Sequence, residues 1–492
     1  MSAKKIALIG SGISSLSCAS FLAKEGHDVT ILEKNDSIGG RARQFRSENG
    51  FTFDMGPSWY WMPDIFENFY RQFGYTTSDF YELVRLDPSY QVIWNEHDTD
   101  QIPASVTELE QFVEKLEPGS SIKLRRFLAD AEKKYQIGMK DLVYKPSLKL
   151  SEFADTRILS GLFKMHLFKS YSSFIRKYFS HPKIISLLEF PILFLGATPK
   201  DTPALYSLMN YADIQLGTWY PMGGMFEFVK AFERIAREQG VRFLLDHAVT
   251  GINTSNGKIQ SLNTNHGTFG FDFVISGADY RHTEQLLQNQ ANYSDTYWEK
   301  RVMAPSCLIF YIGLDCKAPH LEHHNLFFDE DFDKHAHEIY KDPQWPSKPL
   351  FYVSCPSKTD PSTAPEGSEN LFLLIPIAPG LEDNEQLREH YFNLLCERLS
   401  KKTGFDIRPH ISYKRSYCIS DFMNDYHAFK GNAYGLANTL KQTALLKPRI
   451  RNKHLSNLFY TGQLTVPGPG IPPSIVSGEV VAKYLIRQIE KR

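Results

Sequence analysis

The chain has few cysteines and no pair of them at metal-binding spacing. The six, Cys18, Cys307, Cys316, Cys355, Cys396 and Cys418, contain no CxxC, so they frame neither a zinc site nor a disulfide scaffold, and a reducing cytoplasm is the expected compartment. An excess of charge is also lacking: 55 Lys and Arg balance 56 Asp and Glu, which gives no support to a nucleic-acid partner. No window of about 18 or more uninterrupted apolar residues occurs, so no spanning helix is expected. The N-terminal apolar run, residues 6–9, breaks at glycines and is too short for a signal peptide; any membrane contact is expected to be peripheral. Repeats and low-complexity tracts are absent, and no Ser/His/Asp set, metal spacing or carboxylate pair stands out. What is present is an ordinary globular composition, 42% hydrophobic and 23% charged, over 492 residues, enough for two or three domains.

The first 34 residues carry the strongest local signal. KKIALIGSGISSLSCASFLAKEGHDVTILEK reads as a buried strand at 5–9, a glycine turn, a helix at about 14–25 and a second strand at 28–33, a βαβ unit. Gly10 suits the tight turn, Gly12 lets the backbone approach a pyrophosphate, and the helix that follows offers free N–H groups and the positive end of its dipole. Ser15 stands where a third glycine is usual and is small enough for helix–strand packing. Glu33 is placed to accept from a ribose 2′-hydroxyl, and its charge disfavours a 2′-phosphate. NAD and FAD both satisfy this unit. The continuation SIGGRARQFRSENGFTFDMGPSWY separates them: Gly39 and Gly40 free a turn beside the nucleotide, Arg41 or Arg43 can donate to the diphosphate, and an NAD-binding unit has no need of the extension. The alternative is a surface loop with incidental arginines.

Further on, composition changes mark a discontinuous layout. An aromatic helix, IFENFYRQFGY, follows Gly56 and Pro57, and a charged helix-forming stretch covers about 108–134. TWYPMGGMFEFVKAFERIAREQGVRFLLDHAVTGI reads as a glycine start, an amphipathic helix, a stop at Gly240 and a return to strand; SNGK at 255–258 signals a hairpin, followed by FDFVISGAD as strand. Near the end, NLFYTGQLTVPGPGIPPSIVSGEVVAKYLI gives a strand at 458–461, a loop from Gly462, and a helix starting near Pro472 or Pro473, with Ser474, Ser477, Gly478 and Ala482 small enough for close packing. Between residues 157 and 188 there is no acid, while Arg157, Lys164, Lys169, Arg176, Lys177 and Lys183 interleave with Phe163, Leu167, Phe168, Tyr171, Phe174, Ile175, Tyr178 and Phe179. That mixture suits a helix at a lipid boundary over about 157–195; a lobe helix with a solvated basic face is the alternative. His323 and His324 are adjacent on an expected strand and should face opposite ways, which argues against a shared metal.

The stretches GSGISSL, LEKNDSIGGRA, GFTFDMGPS, WYPMGGM, FVISGADY and PGPGIPPSIVSG resemble the bacterial-type phytoene and carotenoid desaturases, within the superfamily of FAD-dependent amine oxidases. They run from residue 8 to residue 478, essentially the whole chain. The resemblance implies an α/β fold with a discontinuous Rossmann-like FAD-binding domain (1–75, 222–285 and 445–492), a mixed-sheet substrate domain (76–115 and 286–444) and a helical, membrane-associating lobe (116–221). It implies noncovalent FAD contacted by Gly10, Gly12, Ile13, Ser14, Ser15, Glu33, Lys34, Gly39, Gly40, Arg41, Met55, Gly56, Pro57, Ser58, Gly462, Gly470, Ile471 and Pro472, with Val249 against the adenine. The N-terminus of the last helix would then face the N1/O2 side of the flavin, while Gln463 replaces an acid common in relatives. The implied reaction takes two hydrogens from an acyclic part of a C40 carotenoid, hydride passing to flavin N5 and the electrons onward to oxygen or a quinone, at the cytoplasmic membrane face. Similarity leans towards 3,4-desaturation of a 1′-hydroxylated end. Phytoene desaturation, carotenoid isomerisation or saturation, amine oxidation, and prenyl-lipid binding of the GDP-dissociation-inhibitor type share the architecture. The residue that takes the proton has no signature.

Overall fold

The computed structural model describes residues 2–153, 169–439 and 441–491. Its first layer is a five-stranded parallel sheet. In chain order the strands are β1 (Lys5–Ile9), β2 (Asp28–Leu32), β3 (Arg242–Leu244), β4 (Phe273–Ser276) and β5 (Leu458–Tyr460); in space they run β5-β4-β1-β2-β3. Ile6, Leu8, Val274, Ile275, Leu458 and Phe459 are wholly buried, as strands covered on both faces require. Each such side chain contributes about 1.5–3 kcal/mol by leaving water. Three strands thus come from segments more than 200 residues beyond the first two, and the fold is α/β with a Rossmann-like region.

Three helices cover this sheet: α1 (Ile13–Lys24), α2 (Phe226–Glu238) and α3 (Ile471–Glu490). Helix α1 is almost entirely buried, and its small residues let α3 come unusually near. A Cβ placed on Gly478 would lie 2.3 Å from the Ser14 carbonyl oxygen and 2.8 Å from the Cys18 amide nitrogen, so backbone meets backbone there. The Ser17 hydroxyl donates to the Ile475 carbonyl at 2.8 Å, and Ser477 Oγ accepts from the Gly462 N–H at 3.0 Å. Ser477, Gly478 and Ala482 are buried as expected; Ser474 is half-buried and donates instead to its own helix at Gly470. Helix α3 starts at Ile471, a residue or two ahead of the expected start, with both prolines in its first turn, where their missing N–H groups cost nothing. Ser15, buried in place of the third glycine, fits because Gly277 has no side chain: a Cβ there would fall 2.0 Å from Ser15 Oγ.

The second layer is a seven-stranded mixed sheet, ordered Ile411–Tyr417, Ser306–Leu314, Glu369–Ile377, Phe351–Ser354, His324–Phe327, Tyr90–Asn95 and Asp98–Ile102. All its pairings are antiparallel except that between His324–Phe327 and Tyr90–Asn95. The hairpin signal at SNGK joins Val249–Ser255 to Lys258–Thr264, with Asn256 and Gly257 at positive φ as a primed turn demands. The charged stretch is two helices, Val106–Leu116 and Ser120–Ile137, interrupted at Pro118 and Gly119.

The basic and aromatic segment corrects one expectation. Residues 154–168, with Arg157, Phe163, Lys164, Leu167 and Phe168, lie outside the described residues. In the remainder, Tyr171, Phe174, Ile175 and Phe179, expected at a lipid boundary, are buried, with Phe174 and Phe179 about 6 Å from the Phe127 ring. Acids distant in sequence meet some of the cations: Arg176 pairs with Glu189, and Lys183 with Asp98 and Asp100. Lys169, Arg176 and Lys177 form the exposed face, so here the rings turn inward and the cations outward. No helix among the described residues is long and apolar enough to cross a membrane.

The α1–α3 crossing yields a comparison. Gly478→Ala must push two backbones apart and is expected to cost about 3 kcal/mol, whereas Gly277→Ala meets only a serine hydroxyl and should cost less. Thermal melts of both variants check this; equal or reversed losses would show that the crossing yields easily.

Candidate functional site

The carboxyl ends of β1 and β2 shape the first part of the site. Gly10 N–H donates to Leu32 O at 2.7 Å, drawing the turn after β1 onto β2. Glu33, buried at the end of β2, accepts from the N–H and hydroxyl of Ser11, both at 2.7 Å, through one oxygen. Its other oxygen accepts from the N–H and side-chain amide of Asn35 at 2.9 and 3.0 Å. The carboxylate is therefore held by four donors of its own loops, and a ribose hydroxyl would have to take the place of Ser11 Oγ or Asn35 Nδ2. Ile13, Ser14 and Ser15 form the first turn of α1, capped by Gly12. A Cβ at Gly12 would meet no atom within 4 Å, so that face of the loop is open to a ligand.

The GGRA segment lies directly against this loop. Gly39 N–H donates to Ser11 O at 3.1 Å, and Gly39 bridges Gly12 in parallel; Gly40 opens a short 3-10 turn, Gly40–Ala42. The two arginines that follow have different fates. Arg43 is engaged by Asp425 and by the Tyr426 hydroxyl, whereas Arg41 has no carboxylate partner among the described residues and makes one long bond to Asn432 O at 3.3 Å; both leave a buried Nε unpaired. Arg41 also stands 5.0 Å over the Tyr426 ring. Lys34 is turned away to the Asn424 carbonyl.

Met55, Gly56, Pro57 and Ser58 are tied in by Met55 N–H to Arg43 O at 2.8 Å and by the Tyr311 hydroxyl to Met55 O at 2.7 Å, which fastens this loop to the mixed sheet. Asp54, just before it, accepts from the N–H groups of Met225 and Phe226 at 2.7 and 3.1 Å and from Gln44 at 3.0 Å. The FTFDMGP and YPMGGM stretches, 170 residues apart, are one hydrogen-bonded unit at the start of α2. Ser58 borders a cavity of about 20 Å³ lined also by Tyr220, His323 and Ser354, each with an unpaired polar atom, Tyr220 Oη, His323 Nε2 and Ser354 Oγ; its size and lining suit one water. Trp59 stacks on His324 at 4.0 Å. The two histidines do not diverge as expected: their rings touch edge to face at 4.4 Å, because His323 precedes the strand that begins at His324. Burial lowers His323 to about 3, so it is neutral.

From the C-terminal end, Gly462 packs against α1, where a Cβ would stand 3.2 Å from Ser14 Oγ, and Gln463 leaves its Nε2 unpaired. Gly470 caps α3, whose first residues are Ile471 and Pro472. Val249 is half-buried at the start of its strand, two residues after His247, whose N–H donates to Glu33 O at 2.7 Å. Gly10 to Ser15, Glu33, Gly39, Gly40 and Gly462 thus converge on the N-terminus of α1, and the loop 55–58 joins them through Arg43. Among the described residues, the side chains close enough to share a metal are Asp315, Cys316 and His410, an exposed to half-buried group that spacing did not reveal.

A match to the family of flavin containing amine oxidoreductases covers residues 13–486. The chain belongs to that family. Within it the chain is a carotenoid and phytoene desaturase homologue and an FAD-dependent oxidoreductase. It is 38% identical, over 99% of both chains, to a carotenoid 3,4-desaturase of Haloarcula japonica, and 28% identical to a zeta-carotene-forming phytoene desaturase of Myxococcus xanthus, over 98% of this chain and 94% of the other. Among solved structures, an oxidoreductase from Methanosarcina mazei shares the fold at TM-score 0.64 and 16% identity, over 97% of this chain and all of the other. The residues present fit the flavin that the family implies: Gly12 leaves an open face, Arg41 Nε and Gln463 Nε2 are buried donors without a partner among the described residues, and the buried Glu33 carboxylate is held at the end of β2 by donors that a ribose hydroxyl could replace.

Asp54 supplies a pH test of this framework. Burial raises its carboxyl to about 6, against the hydrogen bonds that favour ionisation. A proton is then bound in the folded but not the unfolded chain between about pH 4 and 6, so its stabilisation is complete below that window and is lost as pH rises through it. Relative to Asp54→Asn, the wild type should lose on the order of 2–3 kcal/mol between pH 4 and 7. Parallel stability curves from denaturant titrations would contradict this.

Proposed function

We propose that the protein is an FAD-dependent carotenoid desaturase that acts on the 3,4 bond of a 1′-hydroxylated acyclic end. The observation that carries this reading is the 38% identity, end to end, with a protein named for 3,4-desaturation. FAD, when bound, supplies hydride acceptance at its N5. Residues 1–75, 222–285 and 445–492 would form its domain: Gly10, Gly12 and the α1 N-terminus take the diphosphate with Arg41, Glu33 takes the ribose, Val249 packs on adenine, and Gly462, Gln463 and the start of α3 line the flavin. Residues 76–115 and 286–444 hold the substrate, which the protein aligns while excluding water. The absence of any nucleophile signature accords with such chemistry, since a hydrocarbon C–H bond offers nothing for a nucleophile to attack.

A lipid-soluble substrate has to be collected from a bilayer, and we infer that the lobe 116–221 does so peripherally at the cytoplasmic face, through the basic segment at about 157–195, where the cations Lys169, Arg176 and Lys177 are exposed. The electrons then pass to oxygen or a quinone. The similarity to a phytoene desaturase keeps that earlier step as the second reading.

One experiment addresses these points together. Protein purified with its flavin is added to anionic liposomes carrying either a 1′-hydroxy acyclic carotenoid or phytoene, with air or a quinone, and products are read by mass. The expected result is flotation with the liposomes, extractable FAD, and loss of two hydrogens from the hydroxylated carotenoid. Conversion of phytoene alone would replace the 3,4 assignment by the earlier step. Glu33→Arg should lower flavin occupancy several-fold, and unchanged occupancy would remove Glu33 from the ribose site.

A further inference from the structure

A buried cation without a partner lies beside the glycine–proline loop. Lys447 is 3% exposed, and its Nζ makes no hydrogen bond. It follows the short turn Ala444–Leu446, and the chain just after it is held to the C-terminal loop by the Thr465 hydroxyl, which donates to Pro448 O at 2.7 Å. Asn438, 4% exposed, has an unpartnered Oδ1. Both side chains converge on Gly468. A Cβ built there would stand 3.2 Å from Lys447 Nζ and 3.0 and 3.3 Å from Asn438 Oδ1 and Nδ2. Unpaired buried groups of this kind cost several kcal/mol, so two at one place point to a ligand that satisfies both.

The chemistry of the pair limits that ligand. Nζ offers donors and Oδ1 an acceptor, and a hydroxyl is the small neutral group that uses one of each. A carboxylate or phosphate could accept from Nζ but has no hydrogen to give, and so would leave the Asn438 Oδ1 unpaired. The location adds a second argument, which rests on the 3,4-desaturase reading. Counted within the hydroxylated acyclic end itself, one methylene separates the hydroxyl-bearing carbon from the carbon at which a hydrogen leaves, and the two are only about 2.5 Å apart. Whatever reads the hydroxyl must therefore sit next to the flavin and not at the remote end of a channel. Gly468 is two residues from Gly470 and three from Ile471, on the loop proposed to line the flavin.

We propose that Lys447 and Asn438 form the site that recognises the substrate hydroxyl and so select a hydroxylated end over a hydrocarbon one. They are specificity-determining residues, and proton removal is not assigned to them. Burial without a counter-charge lowers the Lys447 ammonium to about 7, so a neutral hydroxyl is an adequate partner near neutral pH.

The test uses the flavin-loaded enzyme, reduced under anaerobic conditions so that it cannot turn over. Binding of a 1′-hydroxy acyclic carotenoid and of its non-hydroxylated counterpart, each in neutral phosphatidylcholine vesicles, is followed by tryptophan quenching. The wild type should prefer the hydroxylated compound, and Lys447→Met should reduce that preference about tenfold or more, with affinity for the hydrocarbon changed less than about twofold. Asn438→Leu should act in the same direction, and it decides the matter if Lys447→Met does not fold. Equal affinity of the wild type for both compounds overturns the inference, as does a preference retained in the folded variants. So does a changed flavin reduction potential in Lys447→Met with the preference intact, which would assign the ammonium to the cofactor. A wild type that desaturates only phytoene rejects the 3,4 reading itself, whereas a hydroxyl preference that survives both substitutions rejects only this pair.

Discussion

The contact between α1 and α3 at Gly478 is the constraint from which the arrangement of the site follows. Two helices whose backbones touch must be lined with glycine and small residues, and α1, with its serines, alanines and one cysteine, is built accordingly. Because α1 opens just after the first strand and α3 closes the chain, this one crossing brings residues 12–15 and 462–472 into the same place. The Ser17–Ile475 and Ser477–Gly462 hydrogen bonds satisfy polar groups that would otherwise be stranded at so dry an interface.

A second fastening works at right angles to chain order. Asp54 caps the start of α2, Met55 is held by Arg43 and by Tyr311, and the loop 55–58 is thereby suspended between the parallel sheet and the mixed sheet. Beside this loop Trp59 stacks on His324, and Tyr220, His323 and Ser354 leave polar atoms unpaired around the small cavity at Ser58. Most buried polar groups among the described residues are satisfied. Among the unpaired atoms, those of Arg41 and Gln463 lie in or beside segments that carry the family motifs, and those of Asn438 and Lys447 reach the last motif only through space, at Gly468.

Ser15 shows how a motif can depart from its usual form without losing its role. Helix–strand packing needs a small total volume at that contact rather than a glycine at one particular position. Here the space is supplied across the contact by Gly277, so the deviation in one segment is compensated by the FVISGAD segment 262 residues later. Single-segment pattern matching registers the serine as a defect; the structure shows a pair.

The sequence by itself determined the local elements. β1 and β2 end within a residue of where their apolar runs place them, α1 is displaced by one residue, and α3 begins at the glycine–proline boundary, because hydrophobic period and the backbone restrictions of Gly and Pro act over only a few residues. It also carried the family, since the motifs are spread over the whole chain. Only the tertiary structure decided which groups meet: that Arg41 reaches only the Asn432 carbonyl and the Tyr426 ring while Arg43 is engaged by Asp425, that His323 and His324 touch, that Phe174 and Phe179 face inward, and that Lys447 and Asn438 converge on Gly468. Each of these depends on a partner from a distant segment and on the direction a side chain takes once that partner is in place, and neither is encoded in the short-range pattern around the residue itself.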